Sequence, residues 1–288
     1  MIRELCSAAE VRAACGDDDL VMWAAQGLRK GARAWALGEA VAAACPQVSR
    51  RDRLAVRGDA AHAAELVRHA LAELGPSYRP LGEAALMREV TVRLEGLEVA
   101  GRFSWMSLDT GAFDPAAPGS TTGDPADATV VRGTPVLPGT SATLGMAGRA
   151  EVGCSDEGEG EGEVGWLDDS ENAQVAALLA AEAPSSYAVP GLAGVRRWAG
   201  VRAGGELAAV AADAWSAPTV GLLAGVATRA RHRGRGLAGR VCRWVSRELV
   251  AAYGRAALMV DDTNPAAIRV YERLGYRRRR VAASRAVG

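Results

Sequence analysis

The sequence predicts an α/β (α+β) protein of two compact units, and three observations carry that expectation. The chain has 288 residues, near the length at which single cores stop growing and chains divide. Residues 109–162 are rich in Gly, Pro, Thr and acids and lose hydrophobic periodicity. On either side of that break, runs of strand character alternate with runs whose apolar residues recur every three or four positions.

In the first unit, residues 1–108, "ARAWALGEAVAAACP" and "DRLAVRG" predict short strands. Asp59 is placed to cap a helix in which Ala63, Val67, Ala70, Leu71 and Leu74 share one face and which Gly75-Pro76 stops. A second helix is expected over about Leu81 to Leu94, and "GRFSWMSLD" reads as a closing strand, giving a β-β-β-α-α-β order. His62 and His69 stand alone on helix positions and read as surface or core-edge residues. The linker that follows ends in "EGEGEGE", a solvated acidic stretch by composition.

In the second unit, residues 163–288, "DDSENAQVAALLAAEAP" predicts a helix capped by Asp169 or Ser170 and ended by Pro184, with Val175, Leu178, Leu179 and Glu182 at helical spacing. Strands are expected at "VRRWAGV", "ELAAVAADAW" and "TVGLLAGVAT". After "TRARHRGRGLAGR", the residues Leu237, Val241, Val245, Leu249 and Ala252 mark a long amphipathic helix. "AALMVDD" reads as a buried strand, and "NPAAIRVYERLG" as a short helix with Asn264 as cap, Pro265 in its first turn and Gly275 past its end. "YRRRRVAASRAV" is the last strand.

Composition narrows the function classes. The chain is 49% hydrophobic and 24% charged, as globular proteins are, and its 34 bases balance its 34 acids, so no global field calls for nucleic acid or a membrane. Charge is uneven locally: residues 227–280 hold fourteen Arg against four acids, whereas residues 151–171 hold nine acids and no base. Arg277 to Arg280 lack the interleaved aromatics of a nucleic-acid surface and read as solvated arginines. The five cysteines are irregularly spaced without a Cys-x-x-Cys pair, which fits neither a disulfide framework nor a metal site and predicts reduced, buried thiols. The N-terminus has acids and no apolar signal core, and no run of about 18 apolar residues occurs. A cytoplasmic protein is expected, with no metal and no membrane or nucleic-acid partner.

The stretch "TRARHRGRGLAGR", residues 228–240, carries the chemistry. Five arginines and three glycines lie between a strand and a helix. Glycines there let several backbone N–H groups converge, and the helix dipole adds positive potential, which makes a pyrophosphate cradle. The Arg side chains at 229, 231, 233 and 235 supplement it with charge. Gly234-x-Gly236-x-x-Gly239 also has the spacing of a dinucleotide fingerprint, with Asp261 about 20 residues on. Against a NAD-binding oxidoreductase stand the "RARHR" inserted between strand and glycine, and the fewer than fifty residues left for a second half-sheet.

Taken together, "VATRARHRGRGLAGRV" and "DDTNPAAIRVYERLGYR" resemble the acetyl-CoA loop and the final Asn-helix-Tyr-Leu-Gly-Tyr segment of the GNAT superfamily of N-acetyltransferases. The resemblance covers about residues 163 to 288 and is closest to the branch like the C-terminal domain of glycine N-acyltransferases. It implies a mixed, mostly antiparallel GNAT-type sheet flanked by helices, in which strand 219–228 splays from strand 256–262. It also implies that residues 1–108 form a degenerate GNAT-like domain before the catalytic one.

The implied cosubstrate is acetyl-CoA. Val226 and Thr228 would pair with the pantetheine amides, and backbone N–H groups from Arg231 through Leu237 would hold the pyrophosphate. The implied contact set is Val226, Ala227, Thr228, Arg231, His232, Arg233, Gly234, Arg235, Gly236, Leu237, Ala238, Asn264, Ala267 and Tyr271. Tyr271 is the expected general acid for the departing thiolate, although it also suits packing on the Ile268-Tyr271-Leu274 face. Asn264 is a helix cap by local criteria and a cofactor contact by resemblance. Asp213 and Asp261 are the candidate bases, each equally a turn cap, and Cys242 reads as a structural thiol. The expected reaction is acyl transfer from acetyl-CoA to a primary amine on a small molecule or peptide by direct attack in a ternary complex. The competing class is a non-catalytic acyl-CoA sensor.

Overall fold

The computed structural model describes residues 1–29, 31–109 and 162–287, so most of the expected linker lies outside the described residues. The first part runs β1 (Arg3–Leu5), α1 (Ala8–Cys15), α2 (Asp19–Ala25), β2 (Arg33–Leu37), β3 (Ala40–Val48), β4 (Arg51–Arg57), α3 (Ala60–Leu74), β5 (Arg79–Glu83), α4 (Ala84–Arg93) and β6 (Leu97–Asp109). The second runs β7 (Gly165–Trp166), α5 (Asn172–Glu182), β8 (Val195–Ala203), β9 (Glu206–Ala214), β10 (Gly221–Thr228), α6 (Leu237–Tyr253), β11 (Arg255–Val260), α7 (Pro265–Arg273) and β12 (Arg277–Ala286).

The local chemistry explains the strongest elements. The Asp59 carboxylate accepts from the backbone N–H groups of Ala61 and His62, opening α3 where its cap was expected. In α6 the buried residues Leu237, Val241, Val245 and Leu249 form one stripe, and Gly254 ends the helix with a left-handed backbone. The first part departs from expectation in three places. The second expected helix begins later, because Arg79–Glu83 form β5 and only Ala84–Arg93 are helical. Helices α1 and α2 and the three-residue edge strand β1 are additional. In the second part, Asp168 caps a short 3-10 turn (Asp169–Glu171) that leads into α5, one residue before the expected cap.

All twelve strands join one sheet in the order β1-β2-β3-β4-β5-β12-β6-β11-β10-β9-β8-β7. Among the described strands only β4–β5 and β10–β11 pair in parallel, each pair linked by a long helix. The sheet is therefore mixed and mostly antiparallel, as expected, and the doubly wound parallel sheet of a NAD-binding fold is excluded. The two parts exchange their last strands. β6 lies between β11 and β12, with Met259 opposite Trp105, and β12 lies between β6 and β5, with Ala283 opposite both Gly101 and Leu81.

Strand alternation sends side chains to two faces. One face, with Ala43, Phe103, Trp105, Ala224 and Met259, packs under α1, α2 and α5 in a core that spans both parts. On the other, α3 and α4 cover the first part, and α6 and α7 cover the second. The C-terminal arginines are anchored by this architecture. Arg277 pairs with Asp109, Arg278 with Asp262, and Arg279 with Asp18 and Asp19, so three of the four expected as solvated are ion-paired.

Candidate active site

The candidate cleft begins where two strands part. Residues Gly221, Leu222 and Leu223 of β10 pair in parallel with Ala256, Ala257 and Leu258 of β11. β10 then runs on to Thr228 alongside β9 alone, which leaves the β11-facing backbone groups of its far half without a ladder partner among the described residues. A bulge marks the divergence: Ala224 faces Ala212 and Ala227 faces Val210, so two residues on β10 oppose one on β9. Gly225 in the bulge has φ +64°, and a Cβ there would sit 2.4 Å from the Trp198 ring. Only glycine satisfies both backbone and space at that point.

The loop after Thr228 leads to the N-terminus of α6. A single 3-10 turn (Ala230–His232) precedes it, and Gly236 at the cap has a left-handed backbone and no side chain to satisfy the first N–H groups of the helix. The helix dipole and those donors face the same space, which suits an anion.

Three of the loop arginines, Arg229, Arg231 and Arg233, are paired with carboxylates. Arg229, Arg231 and His232 all bond Glu206, at the start of β9. Glu182, at the end of α5, accepts from the Ala230 N–H at 2.9 Å and from Arg233 at 2.6 Å. Burial opposes ionisation of Glu206, but the bonds from Arg231 and His232 and the charge of Arg229 outweigh it and hold the carboxyl below its ordinary range. Arg229, Arg231 and Arg233 thus brace the loop, while no side chain caps the first N–H groups of α6. Sequence reasoning missed Glu206, and it placed Glu182 on a helix face without a role, since each carboxylate lies well over twenty residues from the loop.

Several expected site residues converge. Val226, Leu237, Ala267 and Tyr271 belong to one core cluster with Val260 and Cys242. The Asn264 side chain accepts from the Ala267 N–H at 3.1 Å and caps α7, so both residues stand where β11 turns into that helix. Tyr271 is 6% exposed and lies edge-on to Tyr276, with ring centroids 5.9 Å apart. Its hydroxyl makes no hydrogen bond among the described residues. Burial first, then Cys242 and Tyr276, push the phenol well above its ordinary value, so it stays protonated. Tyr276 has its own partner, Ser246 at 2.7 Å. Burial raises the Cys242 thiol to about 12, which fits the structural role expected of it. The Thr228 hydroxyl is buried without a partner.

The two candidate bases are elsewhere engaged. Asp213 lies opposite Leu223, where β10 and β11 are still joined. It is 1% exposed, and its carboxylate accepts from Ser216 at 2.5 Å and Tyr253 at 3.1 Å, with Arg197 at 3.5 Å. Asp261 accepts from the N–H and hydroxyl of Thr263, both at 2.8 Å, and shapes the turn before α7. Among the described residues no group of three or more His, Cys, Asp or Glu is arranged to hold a metal ion, and no helix is long and apolar enough to cross a membrane.

The mixed, mostly antiparallel sheet flanked by helices matches the fold of a solved GNAT-family acetyltransferase. Residues 199–285 match the family model described as FR47-like protein. Among solved structures, the chain is similar to a GCN5-related N-acetyltransferase from Kribbella flavida, with 19% identity, 94% of this chain and 96% of that one covered, and a TM-score of 0.55. It is also similar to a Drosophila protein, with 14% identity, coverage of 99% and 98%, and a TM-score of 0.53. No curated protein sequence matches the chain.

Proposed function

We propose that the protein is an N-acyltransferase that moves an acetyl group from acetyl-CoA to a primary amine. The observation that carries this reading is the parting of β10 and β11 beyond Leu223, on the strand whose following loop leads to the uncapped α6 N-terminus. Pyrophosphate on the loop would set pantetheine along the unladdered edge of residues 224–228, as strands pair. Val226, Ala227 and Thr228 would bond its amides, with Asn264 and Ala267 on the opposite wall. Residues Arg231, His232, Arg233, Gly234, Arg235, Gly236, Leu237 and Ala238 form the anion loop and its helix start.

In the reaction the amine nitrogen forms a bond to the thioester carbon, the C–S bond breaks, and the thiolate takes a proton from the Tyr271 hydroxyl. That hydroxyl is neutral and without a protein partner, so it is free to donate. With Asp213 and Asp261 both occupied, the amine is taken to enter neutral, and the proton it sheds on bonding to carbon passes through water and restores the Tyr271 phenol. We further assign residues 163–288 as the catalytic unit and residues 1–108 as a degenerate GNAT-like unit that walls the acceptor side. The repetition of a parallel strand-helix-strand in each part supports this. The glycine N-acyltransferase-like branch and a cytoplasmic setting belong to the same reading.

Thiol release in the presence of an amine panel tests the proposal. An acyltransferase gives acceptor-dependent release. A protein that binds acetyl-CoA yet turns over no acceptor is instead a sensor, a reading favoured by the engagement of both candidate bases.

A further inference from the structure

A second cationic site lies far from the α6 loop, on the sheet face beneath α1, α2 and α5. Arg51 and Arg53 stand two residues apart on β4, so their side chains take the same face. Arg79 is opposite Arg53 in the parallel β4–β5 pair. Ala55 and Leu81, the next same-face positions on the two strands, lie in the core shared by both parts, which fixes the side the arginines occupy. β4 is five strand steps from β10, roughly 24 Å at the usual strand spacing.

Arg53 is the unusual member. It is 3% exposed, its Nε donates to the Val48 carbonyl at 3.4 Å, and its buried Nη1 has no partner. Among the described residues no carboxylate pairs with Arg51, Arg53 or Arg79. The neighbouring acid, Asp52, is taken up by the backbone and side chain of Gln47. Burial is the main influence on Arg53; the Tyr187 phenol opposes it, while Arg51 and Arg79 add repulsion, and the net effect brings the guanidinium down to about 10. It is still charged at neutral pH. Tyr187, Arg51 and Arg79 are each partly exposed, so solvent reaches the rim while Arg53 forms the floor.

A buried guanidinium without a counter-ion is among the costliest groups a fold can retain, and two further arginines beside it raise that cost. An oxyanion reverses the sign of every one of these interactions, and the forked donors of arginine match its geometry. We propose that Arg51, Arg53, Arg79 and Tyr187 form a binding site for the carboxylate or phosphate group of a small molecule, separate from the α6 loop.

Thermal melting at constant ionic strength, with inorganic phosphate or succinate titrated into the full-length protein, tests the site. The wild-type melting temperature should rise with anion concentration, as linkage requires. Arg53→Met, which removes the unpaired charge and keeps the apolar stem, should melt higher than wild type without anion and lose the response. Arg79→Gln alters a partly exposed rim residue, so it tests the site even where Arg53→Met does not fold, and it should weaken the apparent affinity at least about tenfold. A response to phosphate alone identifies a phosphate ligand, and one to succinate alone a carboxylate. Equal shifts in wild type and both variants would place the anion elsewhere, the α6 loop included, and overturn the proposal. The absence of any wild-type shift would do the same.

Discussion

At Tyr271 packing and the proposed acid chemistry would fall to one residue. Its ring belongs to the α6–α7 core, while its hydroxyl is left without a partner in a protein that satisfies the neighbouring Tyr276 through Ser246. Tyr271→Phe keeps the ring and removes the proton, so turnover should fall about 100-fold or more, the usual contribution of a general acid. Acetyl-CoA affinity should stay within about twofold, on the same reasoning that the acid acts in the transition state. Steady-state thiol release and equilibrium titration separate the two. Gly225 is the other decisive residue. Gly225→Ala forces a left-handed backbone on alanine and drives its Cβ into Trp198, for a loss of about 3 kcal/mol in urea unfolding. Local structure was readable from sequence where a short motif held it, as for the Asn264 cap of α7. Glu182 and Glu206 were not, because their partners lie 48 and more, and 23 and more, positions along the chain.

At the scale of elements, the loop between β10 and α6 is held by carboxylates rather than by its own glycines. Glu182→Gln loses the ion pair to Arg233 and weakens the bond to the Ala230 N–H. Acetyl-CoA affinity should drop about five- to tenfold, measured by calorimetry, as for loss of one positioning hydrogen bond. Glu206 adds a pH dependence of defined sign. Its folded value lies below the ordinary 4.5, so its bracing is complete above about 4.5 and is lost as pH falls through the lower folded value. Cosubstrate affinity should therefore be independent of pH near neutrality as far as Glu206 is concerned, and decline in acid. An affinity that rises on acidification would contradict the bracing role.

Among the helices read from sequence, α3 and α7 have side-chain N-caps, α6 ends at a left-handed glycine, and all three have an apolar stripe. Helix α2 has neither contrast nor length: six of its seven residues are buried, so no polar face marks its period. Strand β5 carries Pro80 and Gly82, which argue against a strand locally. It forms because β4 and β12 flank it, information that lies outside its own five residues.

At the scale of the molecule, the exchange of β6 and β12 makes each part incomplete without the other. Residues 1–109 alone lack the strand that separates β5 from β6, and residues 162–288 alone lack the strand that joins β11 to β12. Unfolding of the whole chain should be one cooperative transition, with calorimetric and van't Hoff enthalpies equal. Asp18 fastens this arrangement. It caps α2 through the Val21 N–H and pairs with Arg279 of β12 and with Arg57 of β4. Burial works against its charge, but the bonds from Arg279 prevail and keep its carboxyl below the ordinary range. Asp18→Ala should cost about 3 kcal/mol by chemical denaturation, the lower end for a broken buried pair because Arg279 keeps some access to water.

Cosubstrate binding, as proposed, depends above all on the α6 N-terminus holding an anion. Its most direct test is an isothermal titration of acetyl-CoA into the wild-type protein and into Gly236→Asp, which places a carboxylate where the pyrophosphate is expected. The prediction is one site per chain in the wild type and a loss of at least about 100-fold in the folded variant, the scale expected of like charges meeting in a confined site. Equal affinity in the two proteins, or no binding to the wild type, would contradict it.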